Sequence, residues 1–343
     1  MHRPSTCATS LCAILLANAF APAPVPAASI TVPEERVQSI ELSPEAEKAI
    51  HRGLAYLKYS QAEDGSWGGG YKVTGAALGI LAFVVPGHTP DEPEFGPNID
   101  RAISYLLDRS RRHGGYLADE TSQVLYQHSY GVLALAEVWG QSRRKDVGPA
   151  LKKAVDILLR SQGADGGWRY EPRPSGSDIS CTTAAVQALA SAKEAGIHVS
   201  EQVIARAIRC TRSYQSERTG HFNYGSGGDG SSSLYRAGAG PLSLYMLGDR
   251  NSAVLRRGLA VLIKQPDTVF DSGDHLAHYY CIQACYQAGD AYFNYWYPRV
   301  SKWLIKSQQA DGGWTSGHGN AFGTSLAVLT LAVPYRYLPI YQR

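Results

Sequence analysis

An all-α protein, folded as a single (α/α)6 toroid or barrel, is the architecture that this 343-residue sequence predicts. Three observations predict it. A phrase recurs: Ser60-Gln61-Ala62-Glu63-Asp64-Gly65-Ser66-Trp67 returns as Ser161-Gln162-Gly163-Ala164-Asp165-Gly166-Gly167-Trp168 and as Ser307-Gln308-Gln309-Ala310-Asp311-Gly312-Gly313-Trp314. Three degraded copies end on Tyr116, Phe222 and Phe270, so six aromatic ends fall about fifty residues apart, the mark of a repeat architecture. Between copies, amphipathic segments alternate with segments that are small and apolar nearly all round. One such period holds two helices and two turns. Six pairs of one buried and one half-exposed helix close into a ring, the inner helices around an axis and the outer ones behind them.

The elements follow in order. Outer helices are expected at 45–59, 99–108, 147–160, 201–211, 252–264 and 291–306, where apolar positions recur at three and four, as in Ala154, Val155, Leu158 and Leu159. Inner helices are expected downstream of the phrases, as at 74–85, 182–192 and 324–333; a helix apolar on every side is a buried helix. The phrase reads as a helix-ending turn. Asp-Gly supplies the turn, Gln61, Gln162 and Gln308 reach free carbonyls at the helix end, and Trp67, Trp168 and Trp314 cover it with apolar area. These six residues are structural on this reading. Residues 86–97, with three acids and four prolines, read as a surface loop. Residues 171–177 read as a flap near Asp178. Gly227-Gly228-Asp229-Gly230 lacks a strand before it and a Lys after it, so it is a loop and not a phosphate cradle.

Composition excludes some classes. Hydrophobic residues at 44% against 18% charged residues support a large core and argue against disorder. A net charge of +3 with no Lys/Arg run argues against nucleic acid as a partner. His2 and Arg3 precede a soft apolar run over 7–21 that is too short for a membrane span, with small-residue exits at Ala17-Asn18-Ala19 and Ala27-Ala28. Residues 1–28 therefore read as a signal peptide, 29–44 as a linker and 45–343 as the toroid. The mature protein is expected to be exported, periplasmic or extracellular, without an integral membrane span. Leu11 directly before Cys12 argues against a lipoprotein. Cys181, Cys210, Cys281 and Cys285 remain and read as packing residues; Cys281 and Cys285, four apart on one helix, are poorly placed to bridge each other.

The Gln-to-Trp phrases carry a resemblance. The chain resembles the α/α-toroid superfamily of squalene-hopene cyclases, class II terpene cyclases and protein prenyltransferase β-subunits, whose QW-type repeat these phrases match over roughly residues 45–340. Three stretches liken it further to exported bacterial proteins known by their prenyltransferase and squalene-oxidase (squalene-cyclase-like) repeats rather than by an activity: Tyr126-Gln127-His128-Ser129-Tyr130-Gly131 ahead of Leu135-Ala136-Glu137, Asp178-Ile179-Ser180-Cys181-Thr182, and Tyr335-Arg336-Tyr337-Leu338-Pro339.

The chemistries that this resemblance implies can be tested residue by residue. Class II cyclases protonate an alkene or epoxide with an Asp-x-Asp-Asp motif. Here only Asp178 matches; Ser180 and Cys181 stand where the other two acids would be, and neither can protonate an isoprene double bond. Prenyltransferases hold zinc with an Asp, a Cys two residues later and a His. Asp178 and Cys181 are three apart, and the next inner segment, around 231–235, offers no His. A thioester segment of the complement type is absent. α/α barrels also serve polysaccharide lyases, which need a Tyr or His base and an Arg or metal; for a glycosidase no pair of carboxylates stands out.

In such a ring the inner-helix starts line the cavity. That places Tyr126, His128 and Tyr130, then Asp178, Ser180 and Cys181, then Tyr235 and Arg236, then Asp274, His275, His278, Tyr279, Tyr280 and Cys281, and last Phe322 and Thr324. Each has a plainer reading. Asp178, Ser231 to Ser233 and Asp274 sit where N-caps belong. His275 and His278 are three apart on one helix face, a weak metal pair that reads first as hydrogen-bonded polar residues; no cofactor is expected. His113, His221 and His318 read as solvated turn residues. The aromatic residues could cover a lipid or pack the core. Two functions stand: a terpene-cyclase-like or prenyl-handling protein holding an isoprenoid or lipid without the acid motif, or a non-catalytic scaffold or exported polysaccharide lyase. A continuous Tyr/Phe lining would fit lipid; an Arg, His and Tyr cluster in an open groove would fit a glycan.

Overall fold

The computed structural model describes residues 41–119, 124–228 and 230–335. Residues 1–40, where a signal peptide and most of a linker are expected, residues 120–123, Asp229 and the stretch from Arg336 onward lie outside the described residues. Twelve α-helices make up the fold of the described residues: α1 (Pro44–Ser60), α2 (Lys72–Val84), α3 (Gly96–Arg112), α4 (Val124–Trp139), α5 (Val147–Ser161), α6 (Ile179–Glu194), α7 (Glu201–Ser213), α8 (Leu234–Met246), α9 (Ala253–Ile263), α10 (His275–Ala288), α11 (Asp290–Ser307) and α12 (Asn320–Leu331). Among the described residues there is no strand, only an isolated bridge between Gln215 and Phe222. No helix there is long and apolar enough to cross a membrane.

The even-numbered helices form the inner ring. Each packs on the next, α2 on α4, α4 on α6, α6 on α8, α8 on α10, α10 on α12, and α12 back on α2. The odd-numbered helices lie outside, for example α3 on α2, α5 on α4, α9 on α8 and α11 on α10, while α1 packs on α12. Burial separates the layers. Every residue from Val73 to Val84 of α2 is buried, whereas α1 buries the stripe Ala46, Ala49, Ile50, Gly53, Leu54 and Leu57. That stripe has the three-and-four spacing of a helix with one face on a core. The all-helical toroid expected from the sequence is thus the observed fold.

The differences are local. α3 starts earlier than expected because Pro97 sits in its first turn, where a missing N–H costs nothing. The loop after α2 is correspondingly shorter, and its Phe95 is buried against Phe83, ring centroids 5.2 Å apart. All four cysteines of the described residues are free and buried.

Candidate functional site

The three full phrases hold the outer layer together, and not as the sequence suggests. Gln162 at the end of α5 donates through Nε2 to Gly166 O of its own turn at 2.8 Å and to Val203 O of α7 at 3.0 Å, and its Oε1 accepts from Arg206 of α7. Gln61 likewise donates to Gly65 O and to Asn98 O of α3, and accepts from Arg101. Gln308 donates to Gly312 O and to Ala49 O of α1, and accepts from Arg52 at 3.1 Å. The degraded copy keeps the device: Gln215 donates to Val254 O of α9 at 2.8 Å and accepts from Arg257. Each glutamine therefore reaches the next outer helix, a link that the expectation of free carbonyls at the helix end did not include. Gln265, at the end of α9, instead bonds its own helix, at Val261 O.

Glycine and tryptophan complete the joint. Gly166 has φ +95°, and a Cβ there would lie 2.4 Å from Arg206 O, so only glycine admits the next helix so closely. Trp67, Trp168 and Trp314 are buried, and each indole N–H donates at 2.8 Å to the carbonyl ten residues earlier, of Leu57, Leu158 and Leu304. That satisfies a carbonyl left free at the helix end.

The N-terminal ends of all six inner helices surround a cavity of about 310 Å³. Each contributes to it: Thr74 of α2, Tyr126 of α4, Ser180 of α6, Tyr235 of α8, Leu276 of α10 and Phe322 of α12. Trp67 adds a wall, and Tyr71, Tyr170, Tyr224 and His318 come from the connecting loops. Tyr170 and Tyr224 join their hydroxyls in a hydrogen bond across two loops. Below lies a tyrosine cluster. Tyr126 and Tyr130 hydroxyls are 3.4 Å apart, Tyr130 and Tyr280 hydroxyls 2.8 Å apart, and Tyr235 meets Tyr280 edge to face at 5.1 Å. Burial pushes all four phenols well above the usual tyrosine range, so they remain O–H donors at any ordinary pH. Among the described residues the lining holds no Asp, Glu, Lys or Arg.

Of the residues expected at the cavity, Tyr126, Ser180, Tyr235 and Phe322 line it, and Tyr130 and Tyr280 lie in the cluster below. The others do other work. Asp178 is buried and caps α6, accepting from Ser180 N and Cys181 N, both at 2.9 Å. Asp274 caps α10 through Ala277 N. Cys181 is buried, and burial raises its thiol well above the ordinary range. Tyr279 lies deeper, fully enclosed. Thr324 accepts from Trp314 N, and Arg236 donates to Phe222 O.

The histidines of the inner helices, His128, His275 and His278, turn away from the cavity. His128 accepts from Leu117 N at Nδ1 and donates from Nε2 to Ala154 O of α5, both at 2.9 Å. His278 donates to Val269 O at 3.0 Å and packs among Phe270, Trp296 and Trp303. His275 donates to Thr315 O. Burial lowers His128 and His278 to about 4 and lowers His275 as well. No group of three metal-ligating side chains occurs among the described residues. Glu137, a buried carboxylate raised to about 7 by burial, bonds Ser191. It lies eleven residues beyond Tyr126 on α4, roughly 16 Å along the helix, and so away from the cavity.

The sequence reading missed Tyr71, Tyr170 and Tyr224. Its usable signal is the tyrosine two residues after Trp168 and again after Phe222. It also missed the arginine partners, which follow their glutamines by 40, 44 and 42 residues at Arg101, Arg206 and Arg257.

No known protein-family profile matches the chain. Lanosterol synthase from Homo sapiens is 27% identical over 154 residues, 40% of this chain, and the mouse enzyme (Mus musculus) is 27% identical over 137 residues. In both cases the chain spans only 19% of the relative's length. Among solved structures, type II terpene cyclase MstE from Scytonema, in complex with its substrate geranylgeranyl dihydroxybenzoate, matches with a TM-score of 0.59 at 15% identity, covering 86% of this chain and 98% of that chain. The alpha-1,6-mannanase GH76A of Salegentibacter, in complex with alpha-1,6-mannotriose, also matches at 0.59, with 11% identity over 84% of this chain and 98% of that chain. The fold is the α/α toroid that both of these structures share.

Proposed function

We propose that the protein binds an isoprenoid or similarly apolar lipid in the cavity at the inner-helix N-termini, and that it holds this ligand without carboxylic-acid catalysis. The observation that carries the reading is the lining: tyrosines, Trp67, Phe322 and Leu276 with small residues between them, and no charged side chain among the described ones. Such surfaces favour apolar matter and tolerate a few oriented polar groups. The volume, about 310 Å³, suits one small molecule. The terpene-cyclase likeness supports the same reading, since MstE carries a geranylgeranyl substrate.

A polysaccharide ligand is the second reading, supported by the mannanase likeness. It asks for carboxylates or an arginine at the cleft, which the described lining does not supply. Export, with cleavage near residue 28, would place the cavity in the periplasm or outside the cell.

Native mass spectrometry of the protein purified from its own cell envelope, followed by denaturing release, tests the reading. A released isoprenoid or lipid mass is the expected result. A mass corresponding to an oligosaccharide would replace it with the second reading.

A further inference from the structure

The joint between α7 and α9 is looser than the three built on the full phrase, and the looseness opens a cleft. From glutamine to glycine the full phrases step four residues, at Gln61–Gly65, Gln162–Gly166 and Gln308–Gly312; the degraded copy steps five, from Gln215 to Gly220. A Cβ at Gly65, Gly166 or Gly312 would lie 2.3, 2.4 or 2.5 Å from the carbonyl oxygen of the clasping arginine, Arg101, Arg206 or Arg52. At Gly220 the same distance, to Arg257 O, is 3.6 Å. The extra residue holds the turn off α9, and a cleft of about 460 Å³ lies between them. It shares no lining residue with the central cavity.

The cleft is basic. Its described lining carries Arg218, Arg257 and Lys264 against one acid, Glu217. Two of these cations have capacity to spare. Arg52, in the corresponding place, commits both terminal nitrogens, to Gln308 Oε1 and to the carbonyls of Gln309 and Ala310. Arg257 commits only its Nε, to Gln215 Oε1 at 3.1 Å, and its terminal nitrogens meet no acceptor among the described residues. Lys264, at the C-cap of α9, is exposed and makes no ion pair among them. The edge of a guanidinium matches two oxygens of a phosphate, and an ammonium adds a point charge beside it. Two such cations suit a dianion better than a single carboxylate. Ala260, Val261 and Pro266 complete the lining with apolar surface.

We propose that this cleft binds a phosphate monoester, its phosphate held by Arg257 and Lys264 and its organic part laid against Ala260, Val261 and Pro266. The inference stands apart from the lipid reading of the central cavity.

Calorimetric titration of the full protein at low salt with glycerol 3-phosphate, and with glycerol as the neutral control, tests this. One saturable site for the ester and none for glycerol is the expected result. Lys264→Gln, which alters an exposed side chain, is expected to weaken that binding about tenfold with the melting temperature unchanged. Lys302→Gln, at an exposed lysine of α11 outside the cleft, is expected to leave it as it was. Arg257→Lys, which keeps the charge and loses the fork, is expected to weaken it as well. Cosedimentation with vesicles containing phosphatidic acid separates the two sources of such a phosphate: a lipid head group would bring the protein down in a Lys264-dependent way, and a soluble ester would not. An equal response of the two lysine variants, whether both weaken binding or neither does, would mean diffuse surface charge and overturn the inference. Binding of neither phosphate probe would overturn it too, and would leave the lipid reading of the central cavity untouched.

Discussion

Four joints of the outer layer are held by a glutamine, whereas the joints after α3 and after α9 are held by a histidine from the inner ring. Where Gln61, Gln162, Gln215 and Gln308 clasp the next outer helix, the device is an amide with both ends used and an arginine behind it. After α3, Tyr116 replaces the tryptophan and stacks on His128 at 4.6 Å, and His128 links the turn to α5. After α9, Phe270 stacks on His278 at 5.8 Å, and His278 ties the turn to the inner ring beside Trp296 and Trp303 of α11. The comparison teaches that a degraded repeat is not a weakened one; another layer supplies the missing polar link. It also separates the joints chemically, because an amide does not titrate and an imidazole does.

Aromatic truncation should show the largest effect and break the comparison if the two kinds of joint differ in packing. Trp168→Ala and Phe270→Ala should each cost about 3–5 kcal/mol in urea unfolding. A Phe270→Ala cost below about 1 kcal/mol would mean that the histidine, not the stack, holds its joint.

Acid should come next. His128 and His278 are neutral when folded, with pKa values lowered to about 4 by burial. The unfolded chain binds more protons between about 6.5 and 4, so their stabilisation is complete above about 6.5 and declines as pH falls toward 4, by on the order of 3 kcal/mol for each. Glu137, raised to about 7 by burial, works the other way and stabilises as pH falls from 7. The two histidines outweigh it, so melting temperature should drop from pH 6.5 to pH 4. His278→Phe, which keeps an aromatic stack, should flatten that drop in calorimetry; an unchanged slope would remove His278 from the explanation.

Gln162→Ala should cost about 1–3 kcal/mol, since it strands the carbonyls of Gly166 and Val203, and it should do so equally at pH 7 and pH 4.5. Asp178→Asn lies outside both kinds of joint and should cost least, below about 1 kcal/mol, because asparagine also caps a helix. A loss of ligand binding with no change in melting temperature would show that Asp178 does more than cap.

Much of the fold was legible because helix periodicity and the phrase are local patterns. The clasps were not, because each joins residues tens of positions apart, and a glutamine does not announce which helix its amide meets. The cavity was half legible, and helical phase explains why. Residues two apart point to nearly opposite sides of a helix and residues four apart share one. Tyr126 and Tyr130 accordingly face the axis while His128 faces α5; Leu276 and Tyr280 face inward while His278 faces the outer layer. Choosing helix starts without fixing the phase put both sets in the cavity. Tyr170 and Tyr224 escaped because they sit on loops, which periodicity does not address.

The clasp between Arg52 and Gln308 spans 256 residues, against 40 for that between Gln61 and Arg101. Every other joint can form as soon as its neighbours exist, but this one must wait until nearly the whole chain is ordered, and contacts of long sequence separation form slowly. The ring thus has a seam, where α1 and α2 meet α11 and α12, expected to close last in folding and to open first in unfolding. Amide exchange in α1 should therefore report on a partly open, C-shaped molecule well before it reports on the unfolded chain.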